Sequence, residues 1–187
     1  AHWGLWALAF CAVAGILSHS PQSSLADYYR QIHLLFLKGE EGAELGSSRQ
    51  ETEELKRLPR RGAFWARAFH YNYRNYCESQ ERRTPHFQVM LTRLRAAYGS
   101  PSNAPQGWKD EFLKGSRPLM WMTNTLTFNS RAILIYVTCL LNCPWVYLLM
   151  EIIAYNLLYV TMHKRHEELC AHMVAKLKKS EVTEGRP

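Results

Sequence analysis

AILIYVTCLLNCPWVYLLMEIIAYNLLYVTM, residues 132–162, runs for 31 residues with one charged side chain, Glu151. A helix of a soluble domain carries a polar face because one side meets water. This stretch has none. It exceeds the roughly 20 residues that one helix needs to cross a hydrocarbon core of about 30 Å, and Pro144 interrupts it. Proline removes a helix N–H and disfavours helical backbone at the residue before it. Asn142-Cys143-Pro144 therefore predicts a tight turn between two spans, with Trp145 at the interface where aromatic rings collect. The first of these spans must begin near Leu119 and take in LMWMTNTLTFNSR. That polar stretch, with Arg131, needs a protein-buried, wet face.

The same reading extends to the other end of the chain. AHWGLWALAFCAVAGIL, residues 1–17, contains no Lys, Arg, Asp or Glu and would measure about 25 Å as a helix. It has neither the basic n-region nor the small-residue cleavage site of a signal peptide, and it opens without Met. The expectation is a chain that begins inside a span whose upstream part is missing. The net charge of +7 sits almost wholly between Asp27 and Arg131 and after Met162, so the positive-inside rule puts both regions on the cytoplasmic side. The five cysteines are odd in number and lie mostly in or beside apolar runs, which argues against a disulfide framework. The expected fold is all-α: a polytopic membrane protein of the cell membrane with about three transmembrane helices plus cytoplasmic amphipathic helices. Its single, partial membrane domain divides into a span at 1–17, a cytoplasmic helical segment at 18–117, a two-helix hairpin at 118–162 and a cytoplasmic tail at 163–187.

Within the cytoplasmic segment, Ser20-Pro21 is a favourable cap and first turn for a helix over 21–37 that stops at Gly39. Residues 39–62 are rich in Gly, Ser and charge and read as a mobile loop. Residues 63–78 place Trp65, Phe69, Tyr73 and Tyr76 on one helix face and Arg67, His70 and Arg74 on another, a pattern suited to a membrane interface. Residues 85–98 form a further helix ending at Gly99.

SHSPQSSLADYYRQIHLLFLKG, residues 18–39, gathers hydrogen-bonding and ionisable groups where the first apolar run stops. His19, Gln22, Asp27, Arg30 and His33 are the candidate binding residues. Arg30 lies three residues from both Asp27 and His33, so the three can share one side of a helix. Arg offers a planar fork to phosphate, and Asp and Gln suit hydroxyls. The plainer reading is an interfacial helix whose polar face meets headgroups. His163, His166 and Cys170 could ligate zinc, but three ligands on one helix match no metal motif, so no metal site is assigned. Glu151 and Asn156 are intramembrane candidates; the plain alternative for Glu151 is a hydrogen bond to Tyr155 or Arg131. No nucleic-acid module is visible.

Four stretches together resemble the later part of a bacterial branch of the CDP-alcohol phosphatidyltransferase family: SHSPQSSLADYYRQIHLLFLKG, FHYNYRNYCESQERRTPHFQ, RPLMWMTNTLTFNSRAILIYV and PWVYLLMEIIAYNLLYVTMHKRHEELC. They cover most of the chain, from the first span to about Met173. The family signature D-x2-D-G-x2-A-R-x8-9-G-x3-D-x3-D is absent. The chain has no Asp-Gly pair, and Ala66-Arg67 lacks the acidic pattern before it. No catalytic residue can therefore be assigned here. The resemblance implies that a full-length protein moves a phospho-alcohol from a CDP-alcohol to an acceptor alcohol or lipid hydroxyl, releasing CMP at a Mg2+ or Mn2+ site in lipid headgroup synthesis. This chain would supply the last three of six helices, complete the pocket and form part of a homodimer interface, and would be inactive alone. The competing classes are a scaffold that binds anionic lipid and a small transporter subunit with Glu151 as coupling group.

Overall fold

The computed structural model describes residues 2–59 and 62–183. It is all-helical, with no strand among the described residues. The chain enters through α1 (His2–Ala12), passes a π-helical segment (Val13–His19) and continues into α2 (Ser20–Lys38). There is no new helix start at Ser20-Pro21, which differs from the expected cap. His19 and Ser20 both have α-helical φ/ψ, and the Ser20 N–H donates to Gly15 O, five residues back. In a regular α-helix the Pro21 ring would press on the carbonyl four residues earlier. The wider π turn before it accommodates the ring.

α2 is the central helix. Leu25, Ala26, Tyr28, Tyr29, Ile32, Leu35 and Phe36 are all buried along it. Neighbours close around it with helical spacing: Phe87, Met90 and Leu94 from α5 (Pro85–Tyr98), Phe112 and Leu113 from α6 (Gln106–Ser116), and Met122 from α7 (Met120–Thr125). α10 (Ala154–Thr183) adds Met162, Cys170, Met173 and Leu177. The segment expected as a tail is thus a continuation of the last long helix, and its inner face belongs to the core. α5 opens on Pro85, which has no N–H to lose, and closes at Gly99 (φ 76°), whose N–H caps Arg95 O at 2.9 Å.

The expected loop at 39–62 is helical over α3 (Ser48–Arg57), which pairs with α4 (Phe64–Arg83). Good helix formers and the Glu53–Lys56 and Glu54–Arg57 pairs favour α3. Two of the three basic groups on the basic face of α4, Arg67 and His70, are spent on this hairpin. His70 Nδ1 lies 2.7 Å from Glu51 Oε2, and Arg67 donates to the Leu55 and Leu58 carbonyls. Phe64, Trp65 and Phe69 stay exposed.

Residues 118–141 are not one helix. The helix breaks at Leu126-Thr127 between α7 and α8 (Phe128–Leu140), leaving α8 at 13 residues, about 20 Å. Hydroxyls take up carbonyls around the break: Thr125 to Trp121, Thr127 to Asn124 and Ser130 to Thr125. The Asn142-Cys143-Pro144 turn forms as expected, with Asn142 at φ 55°, and leads into α9 (Trp145–Ile152). Two helical stretches, Gly4–Lys38 and Trp145–Leu177, are long and apolar enough to cross a membrane. Leu5, Trp6, Ile16, Leu17, Tyr136, Leu140, Trp145, Ile153 and Val160 are exposed along α1, the π segment, α8, α9 and the start of α10.

Phe87 is fully buried against Tyr28 in an edge-on contact, whereas Val89 two residues on is exposed. Phe87→Ala should cost about 3–5 kcal/mol through lost contacts and the cavity left behind. Val89→Ala should fall within about 0.5 kcal/mol of the parent. Unfolding curves of the two variants in the same detergent check the contrast, and equal losses would mean that α5 is not docked as described.

Candidate functional site

The π segment decides the geometry of the site. A turn with an extra residue shifts the side chains that follow it, and such turns recur at functional positions. Here Ser18 and Gln22 point inward against α9 and α10, and His19 lies beside them. Gln22 is fully buried and is the hub. Its Oε1 accepts from Arg131 Nη2 at 2.5 Å, and its Nε2 donates to the Glu151 carbonyl at 3.2 Å and to Asn156 Oδ1 at 2.9 Å. The Asn156 amide donates in turn to Ser18 Oγ at 3.0 Å and to Ile152 O at 2.8 Å.

Arg131 and Glu151, 2% and 1% exposed, meet at 3.2 Å from Nη2 to Oε1. His19 Nδ1 lies 3.5 Å from the same oxygen. The Arg131 guanidinium also lies over the Tyr155 ring at 5.3 Å. The pair is close in charge but poorly aligned for hydrogen bonding. Both Glu151 carboxylate oxygens, and Arg131 Nε and Nη1, have no hydrogen-bond partner. A cleft of about 240 Å3 opens on this spot, lined by Cys11, Ala14, Gly15, His19, Tyr147, Leu148 and Glu151.

Of the five residues proposed from sequence, His19 and Gln22 come together here. The others do not join them. Asp27 lines a separate cleft of about 380 Å3 with Tyr73, Tyr76 and Gln80. Arg30 is exposed. His33 is in the core, its Nδ1 2.7 Å from Ser116 Oγ. The shared side expected for Asp27, Arg30 and His33 is therefore divided, because α2 is surrounded and its three-residue steps reach different neighbours. Arg131 and Ser18 were not among the sequence candidates. The signal for Arg131 was present: a lone arginine in an otherwise apolar stretch, facing a lone glutamate in the next.

The face carrying His163, His166 and Cys170 turns into the core. Tyr29 stacks on His166 with ring centroids 4.1 Å apart, and its hydroxyl lies 2.8 Å from His163 Nδ1. Among the described residues no group of three or more His, Cys, Asp or Glu is placed to hold a metal ion. The chain's two aspartates are Asp27, in the separate cleft, and Asp110, on α6. No family model, curated protein or solved structure matches the chain.

Removing one member of a buried ion pair leaves the other charge uncompensated, typically at about 3–5 kcal/mol, whereas an apolar replacement of both is close to neutral. Arg131→Met and Glu151→Leu should each destabilise strongly, and the double variant should recover most of the loss. A double-mutant cycle from thermal unfolding reads this. Additive losses would show that the two side chains do not act as a pair.

Proposed function

We propose that the chain is a membrane-embedded unit and the C-terminal part of a CDP-alcohol phosphotransferase of lipid headgroup synthesis. The observation that carries the membrane reading is the run of large apolar side chains left exposed along α1, the π segment, α8, α9 and the start of α10. Soluble monomers rarely leave contiguous apolar patches beyond a few hundred Å2, and a bilayer is the partner that covers such a surface. The first and third crossings lie within the two long helical stretches. The second is α8 together with the broken stretch before it. Irregular backbone at that depth is tolerated where protein and hydroxyls satisfy it. The central segment and α10 beyond Met162 then face the cytoplasm.

The phosphotransfer reading rests on the resemblance of the four stretches. It is supported by the gathering of His19, Gln22, Arg131 and Glu151 where the first apolar run gives way to polar sequence. In this reading the chain completes a substrate pocket and a dimer contact, while metal chemistry belongs to an aspartate-bearing part outside it. The exposed aromatics of α4 favour a second reading, a scaffold lying on anionic lipid.

Cysteine labelling in sealed vesicles tests the topology. Burial, and then the nearby Glu81 and Glu51, push the Cys77 thiol up to about 11. Cys77 is thus a poor reporter, and Cys170 is equally buried. In a cysteine-free background, Thr92→Cys and His172→Cys should label from one side and Leu141→Cys from the other. Labelling of Thr92→Cys and His172→Cys from opposite sides would overturn the arrangement.

The chain alone should release no CMP from any CDP-alcohol. In a protein carrying the aspartate signature upstream, the substrate extends past the His19 and Gln22 site to the exposed Arg30, so Arg30→Ala should slow CMP release about ten- to a hundredfold. That corresponds to about 1.5–3 kcal/mol for a charge-assisted hydrogen bond. Because Arg30 is exposed, its thermal stability should not change. Unaltered kinetics would make Arg30 a surface anchor, and chelator-sensitive CMP release by the chain alone would relocate the active site.

A further inference from the structure

We infer that the cleft between the π segment and α9 binds the head of a neutral, hydroxyl-bearing amphiphile, with the hydroxyl donating to Glu151. This rests on the membrane reading above and adds a ligand to the polar site.

The chemistry follows from what is left unsatisfied. Glu151 is 1% exposed and lines the cleft; Arg131 and His19 stand 3.2 and 3.5 Å from its Oε1, but neither carboxylate oxygen receives a well-aligned hydrogen bond. A buried acceptor without a partner is costly, so the site favours a ligand that brings a donor. Charge narrows the class. Arg131 does not line the cleft, so an anion entering it would meet the carboxylate first. Arg131 already balances Glu151 at 3.2 Å, so a cation would add net charge where water is scarce. A neutral hydroxyl satisfies both limits. His19 and Tyr147, also in the lining, stand beside the same carboxylate and bring a ring N and a phenol within reach of the ligand's oxygens.

Size and access fit the same class. About 240 Å3 equals the liquid share of roughly eight waters, enough for a glycerol-sized head and the start of a chain. The remaining walls, Ala14, Gly15 and Leu148, are apolar. Cys11 and Gly15 at the rim are exposed and continue the surface that carries Leu8 and Leu17, so the entrance faces the apolar phase.

The test uses the whole chain in neutral detergent and four probes of one chain length: a monoacylglycerol, the free fatty acid, the primary amine and the methyl ester. Each carries a photoreactive diazirine near its head. The monoacylglycerol should crosslink saturably to peptides covering residues 11–19 and 145–151, at least tenfold more than the other three. Glu151→Gln weakens the acceptor but can also unsettle Arg131. Gly15→Leu therefore provides a second variant. Gly15 lines the cleft and a Cβ there meets nothing within 4 Å, so leucine adds bulk at the cleft wall without a backbone or side-chain clash. It should abolish the crosslink while the melting temperature holds. Equal labelling by acid or amine, or full labelling of Gly15→Leu, would overturn the inference. If the chain stays monodisperse without detergent, the membrane reading itself fails; a detergent-dependent chain without monoacylglycerol labelling removes only the ligand.

Discussion

The buried contact between Arg131 and Glu151, with Gln22 wedged against both, is the constraint on which the apolar end of the molecule depends. It joins three elements distant in sequence: α2 near its start, α8 and α9. Apolar side chains alone would not fix their register, because apolar packing is non-directional. Hydrogen bonds and charge do fix it. One glutamine offers both an acceptor and two donors, and it uses them on Arg131, the Glu151 carbonyl and Asn156.

The half of the molecule away from the exposed apolar run is organised on a different principle. There α2 is enclosed by α5, α6, α7 and α10, and the packing of Phe87, Phe112, Met173 and their neighbours resembles a soluble helical core. The two halves share the same central helix. The π segment lies where one regime passes into the other, and Pro21 helps to explain why it does. It turns Ser18 and Gln22 inward at the depth where α9 presents Glu151. A local backbone irregularity thereby sets the geometry of the polar cluster.

Unsatisfied groups mark where the structure departs from pure stability. A fully optimised pair would align its hydrogen bonds; Arg131 and Glu151 sit close but misaligned, with four polar atoms unpaired. In the His163–Tyr29–His166 group ionisable side chains become core material: Tyr29 stacks on His166, whose Nε2 is also unpaired, and its hydroxyl meets His163 Nδ1. Residue type alone does not separate these outcomes. What sets Glu151 apart is the cleft beside it.

The helical class, the Asn142-Cys143-Pro144 turn, the stop signals at Gly39 and Gly99 and the two long apolar stretches were all legible in the sequence, because each depends on local propensity, proline or glycine chemistry, or composition. The possible partnership of Glu151 with Arg131 was visible too, since a lone opposite charge in each neighbouring apolar segment has few alternatives. The continuity of α1 into α2, the break at Leu126-Thr127, the helix within 39–62 and the burial of α10 beyond Met162 were decided only by tertiary structure. So was the division of His19 and Gln22 from Asp27, Arg30 and His33. Helical spacing says which residues share a side of α2, but α2 has neighbours on nearly every side. Which neighbour each side meets is set by packing between segments far apart in the chain, and sequence periodicity carries no record of that.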